Sequence, residues 1–460
     1  MKVPFLIIGG GLSGLAAAIR FARYSPDVLL IEKHNRPGGL NSYYYRNKAL
    51  LETGLHAVTN YAPPERKHAP LNKLFRQLKM SRKNFEVYPQ FSSEINFSEH
   101  QKELSFSNDF RVIQEEVASK FPSCRRGFMR MVNEIDQFNP FVSSPFRSAK
   151  KFIFSHLEDE LLTEMLLCPL MFYGSSVEND IDLSQFVIMF RSIFQEGMFR
   201  PAGTMKSFLD KLCQHYEELG GSFMLNKEVE KIRHQGGKVL GVELKDGQFI
   251  ECDFLLSTIG LSETYRILGE KDPYDKEKRL GFIESIFLLD RDYQTATNKT
   301  IIFFNRKKRF DYVRPEKPVD LHSGVICFPG NFRGRPQQDF LEVRSTHLAN
   351  YSQWKLISDN RDQYLQTKKD TAHFSAKVLE KFIGNFQQHV IYQDTFTPLT
   401  IEKYTAKKEG AIYGCPAKIK DGDIGFSNLF LAGTDQGFLG IIGSMLSGVS
   451  MVNKHILPRM

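Results

Sequence analysis

No pair of the six cysteines, Cys124, Cys168, Cys213, Cys252, Cys327 and Cys415, stands in CxxC spacing. That scatter argues against a metal site or a disulfide framework, and for thiols held in a reducing compartment. The first apolar run, residues 5–8, is too short to span a bilayer, and no basic segment leads into a long apolar stretch with a cleavage site. A cytoplasmic chain is expected. The net charge is +8, but no recognised nucleic-acid motif accompanies it, so nucleic-acid binding is not expected.

A chain of 460 residues with 42% hydrophobic content can bury more than one core, which predicts two domains. The basic residues are unevenly placed. In "PLNKLFRQLKMSRKNFE", residues 70–86, Leu71, Leu74, Phe75 and Leu78 share one helical face, while Lys73, Arg76, Lys79, Arg82 and Lys83 occupy the rest. Such a helix suits peripheral contact with an anionic membrane, and equally suits an ordinary surface helix covering a substrate domain.

The N-terminal stretch "LIIGGGLSGLAAAIRFARYSPDVLLIEKHNRPGG" carries the first chemistry. Apolar residues 5–8 run into Gly9, Gly11 and Gly14, and small or apolar residues continue at helical spacing to Tyr24. A second apolar run, residues 28–31, follows the Pro26-Asp27 break and ends at Glu32. Strand, tight turn, helix and strand form one βαβ unit. Gly9 allows the turn, Gly11 lets the backbone approach a pyrophosphate, and Gly14 lets helix and strand pack closely. Leu12 and Ser13 open the helix, whose free N–H groups face phosphate. Glu32, about 20 residues beyond the glycines, is placed to accept from a ribose hydroxyl. A parallel sheet with a glycine-rich turn and a solvated acid is the bland alternative.

After Glu32 the chain reads "KHNRPGGLNSYYYRNKALLETGLHAVTNY", with a second glycine pair at Gly38 and Gly39. This pattern resembles the extended nucleotide-binding motif of the FAD-dependent amine oxidase and phytoene desaturase superfamily, where the pair lies near the pyrophosphate. The resemblance implies FAD rather than NAD, with Lys33, Gly38, Gly39, Leu40, Gly54, Leu55 and His56 joining the N-terminal contacts. Many members carry Arg or Lys directly after the pair, and Leu40 stands there in this chain. "ETGLHAV", residues 52–58, resembles the Asp-Thr-Gly-x-His stretch of the carotenoid isomerase and retinol saturase branch, with Glu52 in the Asp place. "CPLMFYGSS" and "PAGT" fit the same branch.

Two later blocks agree with that resemblance. "RPAGTMKSFLDKLCQHYEELGG" predicts a turn and a helix with Met205, Phe208, Leu209, Leu212 and Tyr216 on one side, ended by Gly220-Gly221. A strand and small β-meander follow, punctuated by Gly236-Gly237 and Asp246-Gly247. In the superfamily the residue matching Val229 meets the adenine through its backbone. "NLFLAGTDQGFLGIIGSMLSGVSMVNKHIL" repeats strand, glycine loop and helix, and the resemblance implies that Gly433, Asp435, Gly440 and Ile441 close over the ribityl chain and flavin.

The expected fold is α/β: a Rossmann-like FAD-binding domain of the GR2 type, from residues 1–75, 200–275 and 405–460, with an α+β substrate domain from 76–199 and 276–404. Residues 171–199 are dense in Phe and Met, which suits either a core or a tunnel for a long apolar substrate. Glu52 and His56, beside the expected flavin, are the candidate proton donor and acceptor for polyene dehydrogenation or saturation. Only one GxGxxG is followed by an acid, so a nicotinamide domain is not expected and electrons pass to an external acceptor or from an external donor. The resemblance implies an oxidoreductase that dehydrogenates, isomerises or saturates a carotenoid or other isoprenoid polyene. The alternatives are a flavin amine oxidase and a flavin-binding protein without turnover.

Overall fold

The apolar run at the N-terminus becomes the strand Lys2–Ile8, at the centre of a seven-stranded sheet in a computed structural model that describes every residue except 47, 48, 55, 143, 295, 296 and 337. Val28–Ile31 and Ser222–Met224 extend the sheet in parallel on one side, and Phe249–Ser257 lies parallel on the other. Leu429–Leu431 pairs parallel with the end of Phe249–Ser257, while the meander strands Val229–Gln235 and Lys238–Leu244 run antiparallel. Continuous apolar strands are required because both faces are covered. Phe5, Ile7, Val28 and Leu30 face a core shared with the helices Leu12–Ala22, Met205–Glu218 and Gly440–Met451. Leu6, Ile8, Leu29 and Ile31 face the meander, as a two-residue repeat demands.

The helix expected over 70–86 is shorter, Pro70–Leu78, and stops at Lys79 in the left-handed region (φ 57°). Leu71, Leu74, Phe75 and Leu78 are all buried in the same core as the Leu12–Ala22 and Gly440–Met451 helices. Its apolar face is therefore not free for a membrane, and it covers the nucleotide-type sheet rather than the substrate side. Among the described residues no helix is long and apolar enough to cross a membrane.

A second seven-stranded sheet runs in the order Val390–Phe396, Gly281–Leu289, Leu341–Ala349, Ser323–Cys327, Ile301–Asn305, Ser93–Phe97, Lys102–Phe106. All its pairings are antiparallel except Ile301–Asn305 with Ser93–Phe97. The Phe- and Met-rich segment mostly packs as core against this sheet: Phe186, Met189, Phe190 and Phe194 are buried there, whereas Phe172 and Tyr173 reach a cavity.

Candidate active site

The parallel strands of the first sheet end together, so the residues that follow them meet at one edge: Gly9 after Ile8, Glu32 after Ile31, Thr258 after Ser257, and Gly433 just past Leu431. Such a carboxyl edge is where open α/β sheets bind ligands. Gly9 holds φ 100°, and a side chain on Gly14 would overlap its carbonyl oxygen. At Gly11 the outcome is different: nothing lies within 4 Å of where a Cβ would stand. Next to it, Leu12 is buried and the buried Ser13 Oγ has no hydrogen-bond partner among the described residues. Gly433 (φ 106°) faces the same hydroxyl, 3.9 Å from a Cβ built on it.

The second glycine pair is folded onto this turn. Gly38 donates its N–H to the Gly10 carbonyl at 2.8 Å, and a Cβ on Gly39 would lie 3.2 Å from the Gly11 Cα. Glu32 accepts the Gly10 N–H at 2.7 Å through one oxygen and the His34 N–H at 2.9 Å through the other. Lys33 beside it is pushed down by burial. Val229, buried at the start of its strand, lies just past Lys227, whose N–H donates to the Glu32 carbonyl at 3.0 Å.

From Gly39 and Leu40 a cavity of about 910 Å³ opens between the glycine edge and the second sheet. Gly54, His56, Thr434, Gly440 and Ile441 line it, the last two at the N-terminus of the Gly440–Met451 helix. Leu55, expected in the same group, lies outside the described residues. Phe172, Tyr173, Phe282, Val325, Ile412 and Tyr413 give the inner part an apolar and aromatic wall. The buried Tyr173 hydroxyl has no partner among the described residues, and burial holds it well above its ordinary pKa.

His56 and Glu52, the two candidate proton carriers, have different partners. The His56 Nε2 stands 3.2 Å from Glu284 and 3.3 Å from the Thr346 hydroxyl. Glu284 and Thr346 are opposite each other on neighbouring strands, and Arg344, two residues along, points the same way and meets Glu284 at 3.1 Å. Glu342 then accepts from Arg344 Nε at 2.6 Å. Burial alone would raise the Glu284 carboxyl, but His56 and Arg344 hold it below the usual carboxylate range. The result is an ionised carboxylate held at the Nε2 edge of the imidazole.

Glu52 turns away from the cavity. One oxygen pairs with Arg200 and the other accepts the Met205 N–H, the first N–H of the Met205–Glu218 helix. Both oxygens are engaged, which gives Glu52 a holding role between Arg200 and the Met205–Glu218 helix. The Asp435 carboxylate accepts the Leu261 and Cys415 N–H groups at 2.7 and 2.6 Å, and Thr434 beside it lines the cavity.

Glu284, Arg344, Thr346 and Tyr173 went unnoticed in the sequence. The available signal was charge inside otherwise apolar strands, Glu284 in "GFIESIFLL" and Arg344 in "LEVRSTHLA", since buried charges in strands require partners.

With a glycine edge, an unpartnered buried hydroxyl and an aromatic cavity in place, residues 12–450 match the model of the flavin containing amine oxidoreductases. The chain belongs to that family. FAD is its cofactor, and this flavin-family chain is an FAD-dependent oxidoreductase. It is similar to the 4,4'-diaponeurosporene oxygenase of Staphylococcus haemolyticus, 23% identical over 90% of this chain and 88% of that one. Among solved structures, an oxidoreductase from Methanosarcina mazei shares the fold with a TM-score of 0.67 at 16% identity, over 99% of this chain and 100% of that one. A putrescine oxidase bound to putrescine matches with a TM-score of 0.62 at 12% identity, over 98% of each chain.

Two features of the crevice fit a phosphate-bearing cofactor: the open space at Gly11 and the unpartnered Ser13 hydroxyl beside the helix N-terminus.

Proposed function

We propose that this flavoenzyme acts on a carotenoid or another isoprenoid polyene, with His56 as the proton partner of the reaction. The observation that carries the reading is the inner cavity: aromatic and aliphatic walls closed around one imidazole that an ionised carboxylate holds in place. The named relative acts in the same direction, since it is a diaponeurosporene oxygenase.

Gly9, Gly11, Leu12, Ser13, Gly14, Gly38, Gly39 and Gly433 would hold the pyrophosphate, Glu32 and Val229 the adenosine, and Leu40, Gly54, Gly440 and Ile441 the flavin end. The FAD domain would then comprise residues 1–75, 200–275 and 405–460. FAD supplies hydride acceptance or donation at N5 when bound. His56 takes or gives the accompanying proton, Glu284 orients its ring through Nε2, and Arg344 with Glu342 keeps Glu284 ionised and aimed. The apolar wall excludes water and aligns the chain of the substrate.

Holoenzyme given an acyclic polyene in liposomes with an electron acceptor is expected to yield a product lighter by two hydrogens. His56→Gln should keep its flavin and lose about 10²–10⁴ of turnover, the span typical of a general acid or base. Full turnover in that variant would remove His56 from the chemistry. Amine oxidation is the second reading, which the family as a whole favours. Peroxide release on adding an amine, with no change in the polyene, would establish it.

A further inference from the structure

The outer end of the cavity differs from the inner end in charge. Arg46, Arg361, Lys368 and Lys403 line it, from three elements: the Tyr43–Arg46 strand, the Arg361–Ile383 helix and the Pro398–Thr405 helix. On the long helix, Arg361, Tyr364, Leu365 and Lys368 recur at spacings of three and four, so a single face is turned to the cavity. The acid at this end, Asp394, is already engaged: it accepts the Tyr44 hydroxyl at 3.0 Å and the Thr395 N–H at 2.7 Å, and it pairs with Lys368 at 3.4 Å.

Arg46, Arg361 and Lys403 have no carboxylate within 4 Å among the described residues. Each lies instead over an aromatic ring, Arg46 over Tyr44 at 5.5 Å, Arg361 over Tyr364 at 5.6 Å and Lys403 over Tyr404 at 5.6 Å. A ring holds a cation in place without neutralising it. Gly39 and Gly440 line the same cavity, so the cofactor would enter it beside Lys403, while Arg46 and Arg361 stand on elements that carry none of the glycines. Cations without a carboxylate partner at the exposed mouth and an apolar interior match an amphiphile that enters apolar end first.

Building on the polyene reading, we propose that the substrate carries an oxyanion at one end, held by Arg361, Lys403 and Arg46 while its chain runs inward to His56. A guanidinium suits a planar carboxylate, which it can grip with two N–H groups. Desolvated apolar chain and charge-assisted hydrogen bonds then act on the same ligand at opposite ends.

The test is a binding titration of the FAD-loaded protein with retinoate and with retinol, polyenes of equal length that differ at the end group. Retinoate should bind about tenfold more tightly or better, a difference of about 1.4 kcal/mol. In the Arg361→Gln/Lys403→Gln protein the ratio should fall to near one. Equal binding of the two ligands by the unaltered protein, or a ratio that survives both substitutions, would overturn the proposal and leave the polyene reading intact. The proposal is also overturned if the substitutions weaken attachment to phosphatidylglycerol vesicles but preserve the retinoate preference, since the cations would then serve a lipid surface. Binding of putrescine with neither retinoid would defeat the polyene reading itself.

Discussion

Gly11→Val is expected to give a folded protein that carries no FAD. Gly11 sits at the N-cap of the Leu12–Ala22 helix with φ −67° and ψ 174°, an extended backbone open to any residue, and a Cβ there meets nothing within 4 Å. The branched side chain would fill the space beside the Ser13 hydroxyl and the first free N–H groups of the helix, where phosphate is stabilised. Affinity for FAD should fall by at least about 100-fold, close to 3 kcal/mol. Circular dichroism should be unchanged, and added FAD should raise the melting temperature of the unaltered protein but not of the variant. Gly14→Val makes the contrast. Its side chain collides with the Gly9 carbonyl where the helix packs on the turn, and this variant should fail to fold. A Gly11→Val protein that retains its full flavin would place the cofactor elsewhere.

Arg200→Met should cost about 3–5 kcal/mol of stability, the range for removing one partner of a buried ion pair. The side chains of Arg200 and Glu52 are 2% and 7% exposed, so the Glu52 carboxylate would be left in the interior without its cation. Burial alone raises the Glu52 carboxyl, but Arg200, the Met205 N–H, Arg344 and Arg335 outweigh it and hold the group below its ordinary 4.5. A depressed folded pKa means that the stability contributed by Glu52 is present above 4.5 and is lost as pH falls through the folded value. Without Arg200 the strongest influence that holds the carboxyl down is gone, so Glu52 takes up a proton at higher pH in the variant and acidification should relieve it. The gap in melting temperature between the two proteins should therefore narrow below that pH. A gap that stays constant would mean that Glu52 is not the group left uncompensated. Arg200 also donates to the His56 carbonyl at 3.2 Å, so polyene turnover should fall with stability.

The βαβ unit could be read directly from the residues because its glycines, helical spacing and terminal acid are local features. Gly9 turns the chain with φ 100° and Gly14 packs against its carbonyl, as their spacing suggested, and Glu32 follows the second strand. The partner of His56 could not be read, because Glu284 and Thr346 face one another only through the register of two antiparallel strands far along the chain. Glu52, close to His56 in sequence, is separated from it by the turn at Gly54 (φ 65°). The 70–78 helix shows a related limit. A binary pattern tells which face is buried, and Leu71, Leu74 and Phe75 were the right face, but it does not tell what covers them.

The central claim is that FAD in this protein exchanges electrons with a polyene through the His56 cavity. An anaerobic titration tests it most directly: the absorption of the purified holoenzyme is followed as an acyclic polyene in liposomes is added, with putrescine as the comparison. Bleaching of the oxidised flavin bands by the polyene, slowed in His56→Gln and absent with putrescine, is the predicted result. Flavin that is bleached by the amine and untouched by the polyene would contradict the account.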